Sequence, residues 1–269
     1  MSGPKLYDCT MYAGEADMME MRLNELDGKV DFHVVCEATV THRGHPKPLF
    51  FPDDSDGRFA KWRSRIRYVV AKELPGDPDD GLPDHARRQA WRREHIQRDA
   101  AGAALYDAGP GDLILLNDTD ELPSGRALAW RGEKAAALIM TTCHSAVDLV
   151  FRQPQWAGVI ARWEYAQPRP LGDVRDGRYG YEQITGAGWH FSWIGSQAYR
   201  RSKLDHGTCH LEMPRAEWDA IYSGATYERG EHHNPGTDVI PVDVNETWPR
   251  WIRERRCPPS WWRPREAAA

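Results

Sequence analysis

The chain has no long apolar run. A membrane-spanning helix takes ~20 consecutive apolar residues, and no window of the sequence approaches that. The opening MSGPKLYDCTMYAGEADMM lacks a charged segment followed by an apolar one, so it does not read as a secretory leader. Cysteine is sparse: Cys9, Cys36, Cys143, Cys209 and Cys257, five in all, with no two at metal-ligand spacing. A scattered, odd-numbered set gives no disulfide framework, and reduced thiols in a cytoplasm are the simplest account. The expectation is a soluble, unsecreted, cytoplasmic protein. A broad basic field is missing too, since net charge is -5 with 28% charged residues. That argues against a general nucleic-acid binder, although arginine is locally dense around 87–98 and 250–265. No internal repeat or low-complexity block interrupts the sequence.

What is abundant is tryptophan, with 12 residues. Indole faces stack on sugar C–H surfaces and on bases, which suits a carbohydrate or nucleotide binder, though any one Trp more often packs a core. The length of 269 residues allows a substantial core, as one large α/β domain or two small ones. Strand patterns cover Leu6–Met11, Val30–Glu37, Arg65–Val70 and Leu113–Leu116. Helical spacing covers Ala16–Leu26 and His85–Tyr106, and the Pro- and Gly-rich stretch from Glu73 to Asp84 reads as a loop. This β-α-β-α-β order predicts a mostly parallel sheet flanked by helices, in one domain over residues 1–269. In the second half, Ala136–Thr142, Ala146–Arg152 and Trp156–Ala161 look like strands, with helices near 197–204 and 214–223. The tail after Gly230, rich in Pro, Trp and Arg, is expected to wrap the surface.

The most informative stretch is Gly111–Pro123, GDLILLNDTDELP. A short apolar strand runs into Asp118-Thr119-Asp120, and two aspartates one residue apart can converge on a hard divalent cation, which prefers oxygen ligands. In open α/β sheets, ligands bind in the crevice beyond the strand carboxyl ends. A solvated turn or helix cap is the plainer alternative for such acids.

Three blocks line up in order: EADMMEMRLNEL (Glu15–Leu26) with VDFHVVCEATVTHRGHPKPLFF (Val30–Phe51); Gln97-Arg98-Asp99 leading to NDTDELP; and Gly188-Trp189-His190-Phe191-Ser192-Trp193. Together, from about Leu6 to about Glu212, they resemble glycosyltransferase family 17, the N-acetylglucosaminyltransferases that add the bisecting residue to N-glycans and their bacterial and viral relatives. The resemblance implies a GT-A-like (Rossmann-like) fold. Residues 1–130 would hold a nucleotide-sugar donor, a UDP-sugar first, and 131–269 the acceptor. It implies transfer of N-acetylglucosamine or another hexose with inversion, assisted by Mn2+ or Mg2+. Asp118, Asp120 and His190 resemble the metal set. Glu37, Cys36, Arg98, Asp118, His190 and Trp189 are the candidate donor contacts, with Val35 and Cys36 flanking the base. An inverting transferase needs a carboxylate base, for which Glu212 of His210-Leu211-Glu212 comes first, then Asp148 and Asp205. Trp189, His190 and Trp193 are expected on a Gly-flanked loop lining the reaction site. The tail matches the family poorly, so the acceptor stays open among a carbohydrate, a small molecule, a protein and a modified nucleic acid; no membrane partner is expected. Two other classes compete: a D-x-D phosphatase of the haloacid-dehalogenase type, and a non-catalytic sugar-binding module.

Overall fold

Leu113, Ile114, Leu115 and Leu116 are each buried, with the odd-numbered pair packing into one core and the even-numbered pair into another. A strand covered on both faces reads as an unbroken apolar run, and this one is the middle of the sheet. The computed structural model describes residues 3–75, 84–208 and 239–263. The first half is β1 (Leu6–Tyr12), α1 (Ala16–Glu25), β2 (Phe32–Ala38), α2 (Phe51–Asp56), β3 (Ile66–Ala71), α3 (His85–Ala100), β4 (Leu113–Asp118) and β5 (Glu121–Pro123). The second half is α4 (Gly125–Leu128), β6 (Ala135–His144), β7 (Ala146–Phe151), β8 (Gln155–Arg162), α5 (Trp163–Ala166), α6 (Leu171–Asp176), β9 (Glu182–Ser192), α7 (Gln197–His206), β10 (Val239–Pro241) and α8 (Arg250–Arg253).

The fold is mixed α/β. Its sheet runs β10-β7-β6-β8-β4-β1-β2-β3, with β9 beside β6 and β5 beside β9. Strands β3-β2-β1-β4 are all parallel. Beyond β4 the sheet continues through antiparallel β8, β6 and β7, while β9 lies parallel to β6. The first half follows the order expected from periodicity. Helix α3 is shorter than the expected His85–Tyr106: it ends at Ala100 and tightens into a 3-10 turn over Ala101–Ala104.

Two further expectations are corrected. The Gly188–Trp193 block is not a loop: up to Ser192 it is the end of β9, paired with both β5 and β6. Gly188 is required there, because its φ is +147° and a Cβ would lie 2.0 Å from the Leu122 carbonyl oxygen. Glycine in a strand often marks such a close approach of backbones. The tail does not merely wrap the surface. Trp248, Trp251, Ile252, Cys257 and Trp261 are buried and join α1, β6 and β9 in the largest core cluster.

Helix α1 is fixed to the sheet by polar contacts as well as by Met18, Met19, Met21 and Leu23. Arg22 is fully buried. Its Nε donates to Asp8 Oδ2 at 2.9 Å and its Nη2 to Asp8 Oδ1, while Nη1 donates to the Glu121 carbonyl at 2.6 Å. His33 Nδ1 lies 2.9 Å from the same Asp8 carboxylate. Among the described residues no helix is long and apolar enough to cross a membrane, and Cys9, Cys36, Cys143 and Cys257 are buried free thiols.

Candidate active site

Parallel register places Met11 beside Asp118 and Tyr12 beside Glu37, so the carboxyl ends of β1, β2 and β4 lie together. The turn after β4 is held from several sides. Thr119 Oγ1 donates to the Met11 carbonyl at 2.5 Å, the Asp118 amide to Glu121 Oε2 at 2.9 Å, and the Phe191 amide to the Asp120 carbonyl at 2.8 Å. Asn117 is buried and donates to the Glu121 carbonyl. The second carboxylate of the D-x-D thus comes from a turn clamped between β1 and β9.

Above this turn lies a cavity of about 250 Å³, walled in part by Asp118, Asp120, His190, Lys203, Glu15 and Gln97. Lys203, on α7, donates to Asp120 Oδ2 at 2.5 Å, and His190 Nε2 lies 3.7 Å from Asp120 Oδ1. Burial disfavours the Lys203 charge, but Asp120 more than offsets it and its pKa sits well above the usual lysine value. Asp118 accepts from Arg98 Nη2 at 2.9 Å, with Arg175 Nη2 3.7 Å away. Burial opposes the Asp118 charge too; the two guanidiniums outweigh it and hold the carboxyl well below the usual range.

The candidate residues separate clearly. Asp118, Asp120 and His190 line the cavity together. Arg98 stands behind them, buried on α3, and fixes Asp118. Glu37 is fully buried and saturated: it accepts from the amides of Phe50 and Phe51, from Tyr68 Oη at 2.9 Å and from Lys47 Nζ at 2.8 Å. It is absent from the cavity wall, where Lys47, the residue it holds, is present. Cys36 is likewise buried, its thiol on the Gln97 carbonyl at 3.0 Å. Trp189 points away: β9 alternates, so Trp189 and Phe191 pack on the core while His190 and Ser192 face the cavity. Trp193 reaches the cavity wall with a left-handed backbone, φ 59°. Asp148 receives Arg263 Nε at 2.9 Å and stands off the cavity wall, as does Asp205. Glu212, with the expected helix at 214–223, lies outside the described residues.

Sequence reasoning missed Glu15, Lys203 and Tyr199 on the cavity wall, and Arg175 beside Asp118. Lys203 carries no motif; only the fold brings α7 over the D-x-D turn. Glu121 lies under the turn, its carboxylate taken by Arg175 Nη2 at 2.7 Å and the Asp118 amide.

The donor set suits a hard cation in kind, with two carboxylates and an imidazole. Among the described residues no three His, Cys, Asp or Glu side chains converge as a cage. Mg2+ commonly takes one or two carboxylates and completes its shell with water and substrate phosphates. Asp120 already holds one positive charge at this place, the Lys203 ammonium.

Residues 1–199 match the model for glycosyltransferase family 17. The β-1,4-mannosyl-glycoprotein 4-β-N-acetylglucosaminyltransferases of Homo sapiens and Rattus norvegicus are each 31% identical over 113 residues, and that of Mus musculus 30%. The alignment covers 41% of this chain and 20% of each relative, so the chain matches about a fifth of the relatives' length. A crystal structure of a mycobacterial protein aligns over 93% of this chain and 88% of that one, with TM-score 0.38 and 14% identity. With the family model matching 199 of 269 residues, the chain belongs to glycosyltransferase family 17.

Proposed function

We propose that this chain moves a sugar, N-acetylglucosamine or another hexose, from a nucleoside diphosphate to an acceptor hydroxyl, with inversion at the anomeric carbon. The observation that carries the reading is the pair Asp118 and Asp120 at the end of β4, facing one cavity with His190 and Lys203. The sheet order up to β4 and the placement of these acids support a GT-A-like donor site. UDP is the first candidate nucleotide, and the strand ends of β1 and β2, with Gln97, would take its nucleoside.

Departure of a nucleoside diphosphate develops negative charge, and fixed positive groups stabilise it best where water is excluded. Lys203 and Lys47 border the cavity and would meet the diphosphate. Asp120, with Asp118 and His190 beside it, would hold a Mn2+ or Mg2+ ion, which when bound supplies further positive charge to the leaving group. Arg98 keeps Asp118 ionised and aimed, and Arg175 holds the Glu121 carboxyl in place under the turn.

Titration of UDP with and without Mn2+ tests the reading, together with a panel of nucleotide sugars scored for slow hydrolysis. Wild type should bind UDP more tightly with Mn2+, and Asp120→Ala should lose that increment while keeping its fold. Equal UDP binding by both proteins would remove the metal assignment. Failure of wild type to bind any nucleotide, with sugars still bound, would favour a sugar-binding module.

A further inference from the structure

A second cavity, of about 230 Å³, opens beside the first. Its wall includes Gly14 and Glu15 at the start of α1, Gly195, Tyr199, Ser260 and Trp261. Among the described residues, Glu15 and Tyr199 border both cavities. Among the described residues Glu15 is the carboxylate common to the two: Asp118, Asp120 and Glu94 face the first, and Asp17 the second. We infer that the second cavity receives the acceptor, a hydroxyl-bearing sugar, and that Glu15, on the wall between the two, takes the proton from the acceptor hydroxyl. This rests on the transferase reading above and extends it to the acceptor side.

Three observations carry the inference. The first is position. A displacement reaction needs its base where two substrates meet, and among the described residues Glu15 is the acid shared by the two spaces. The second is availability. Glu15 Oε2 accepts the backbone amide of Ala13 at 2.7 Å, and among the described residues no side chain donates to it. Asp148, by contrast, is engaged by Arg263, and Asp205 is not on either wall. The third is the lining: the Tyr199 phenol and the hydroxyls of Ser260 and Ser196, with the buried Trp261 indole completing the wall, suit a pyranose, whose apolar face stacks on rings. The charged and titratable groups facing Glu15 are Lys203 and Tyr199 from α7 and Asp120 from the turn. Burial first, then Asp120, raises the Glu15 pKa above the usual value, against the Ala13 amide and Lys203.

The step balances without a further reagent. The acceptor oxygen forms a bond to the anomeric carbon on the face opposite the phosphate. The bond from that carbon to the diphosphate oxygen breaks, and its electron pair leaves with the nucleoside diphosphate. The hydroxyl proton passes to the Glu15 carboxylate, which later releases it to water.

The test uses the full chain with UDP-N-acetylglucosamine, water or methyl β-mannoside as acceptor, and UDP for binding. Glu15→Gln should bind UDP within about twofold of wild type, melt within a few degrees of it, and lose turnover by at least about 100-fold, in the range of general-base loss. Glu15→Asp should recover part of that loss. The acid limb of the wild-type kcat/KM profile should be missing in Glu15→Gln. Ser260→Trp, which fills the second cavity, should raise KM for the mannoside and leave UDP binding alone. Turnover by Glu15→Gln within threefold of wild type overturns the inference, and so does loss of UDP binding in step with turnover, which would place Glu15 in the donor site. A deficit found in Glu212→Gln and not in Glu15→Gln also overturns it. If wild type itself binds no nucleotide and turns over no donor, the transferase reading fails first, an outcome distinct from these.

Discussion

Lys203 Nζ and Asp120 Oδ2 are 2.5 Å apart, so a helix from the second half of the chain places its ammonium on the acid that ends the first. A divalent ion binding Asp120 competes with that ammonium. In Lys203→Ala the carboxylate is free of its partner, and Mn2+ should bind the nucleotide-free protein at least about tenfold more tightly, a difference near 1.4 kcal/mol. Calorimetric titration with Mn2+ checks this. An unchanged affinity would mean that the ion pair and the metal do not share a place.

The alternation along β9 makes a paired prediction. His190 faces the cavity and Trp189 the core. His190→Ala should lower turnover at least about tenfold, roughly 1.4 kcal/mol of transition-state stabilisation, with little change in melting temperature. Trp189→Ala should cost about 3 kcal/mol of stability through lost packing and spare the turnover of the folded fraction. Melting curves and specific activity on the two variants decide it, and a reversal of the two phenotypes would invert the assignment of faces.

Arg22 and Asp8 form a buried pair under the D-x-D turn. Removing one partner of such a pair strands the other, and Arg22→Ala should cost about 3–5 kcal/mol in urea unfolding.

The same pair makes stability depend on acid. Burial works against the Asp8 charge, but Arg22 and His33 outweigh it and hold the carboxyl well below its usual range. A depressed carboxyl contributes stability above its unfolded pKa, about 3.9, and loses it as pH falls towards the folded value. The unfolding free energy should therefore drop below about pH 4, with a shallower slope in Asp8→Asn. Equal slopes in the two proteins would show that Asp8 does not drive the acid sensitivity.

The first half of the fold was legible because its signals are local. β1, β2 and β4 are short apolar runs, α1 has helical spacing, and the D-x-D ends a strand. The second half depends on partners distant in sequence. Gly186 and Gly188 imitate a loop, but Gly188 serves the close approach of Leu122. The Pro- and Arg-rich tail imitates a surface wrap, yet its tryptophans find a core built by α1 and β6. In the site, Asp118, Asp120 and His190 were legible from motif and resemblance. Glu37 reads as a donor contact because nothing in sequence reveals that the amides of Phe50 and Phe51 fold back on it. Glu15 and Lys203 stayed invisible for the same reason, since their chemistry arises from position alone.

The pairing of β5 with β9 has a consequence for engineering. Exchanging residues 131–269, the half proposed to face the acceptor, between relatives is an obvious way to redirect specificity. Such a graft would import β9, which carries His190 and supplies the amide that anchors the Asp120 carbonyl. A chimera made at that seam replaces part of the proposed donor site along with the proposed acceptor surface. Grafts that keep the host's own β9 and draw their foreign residues from elsewhere leave that anchor native.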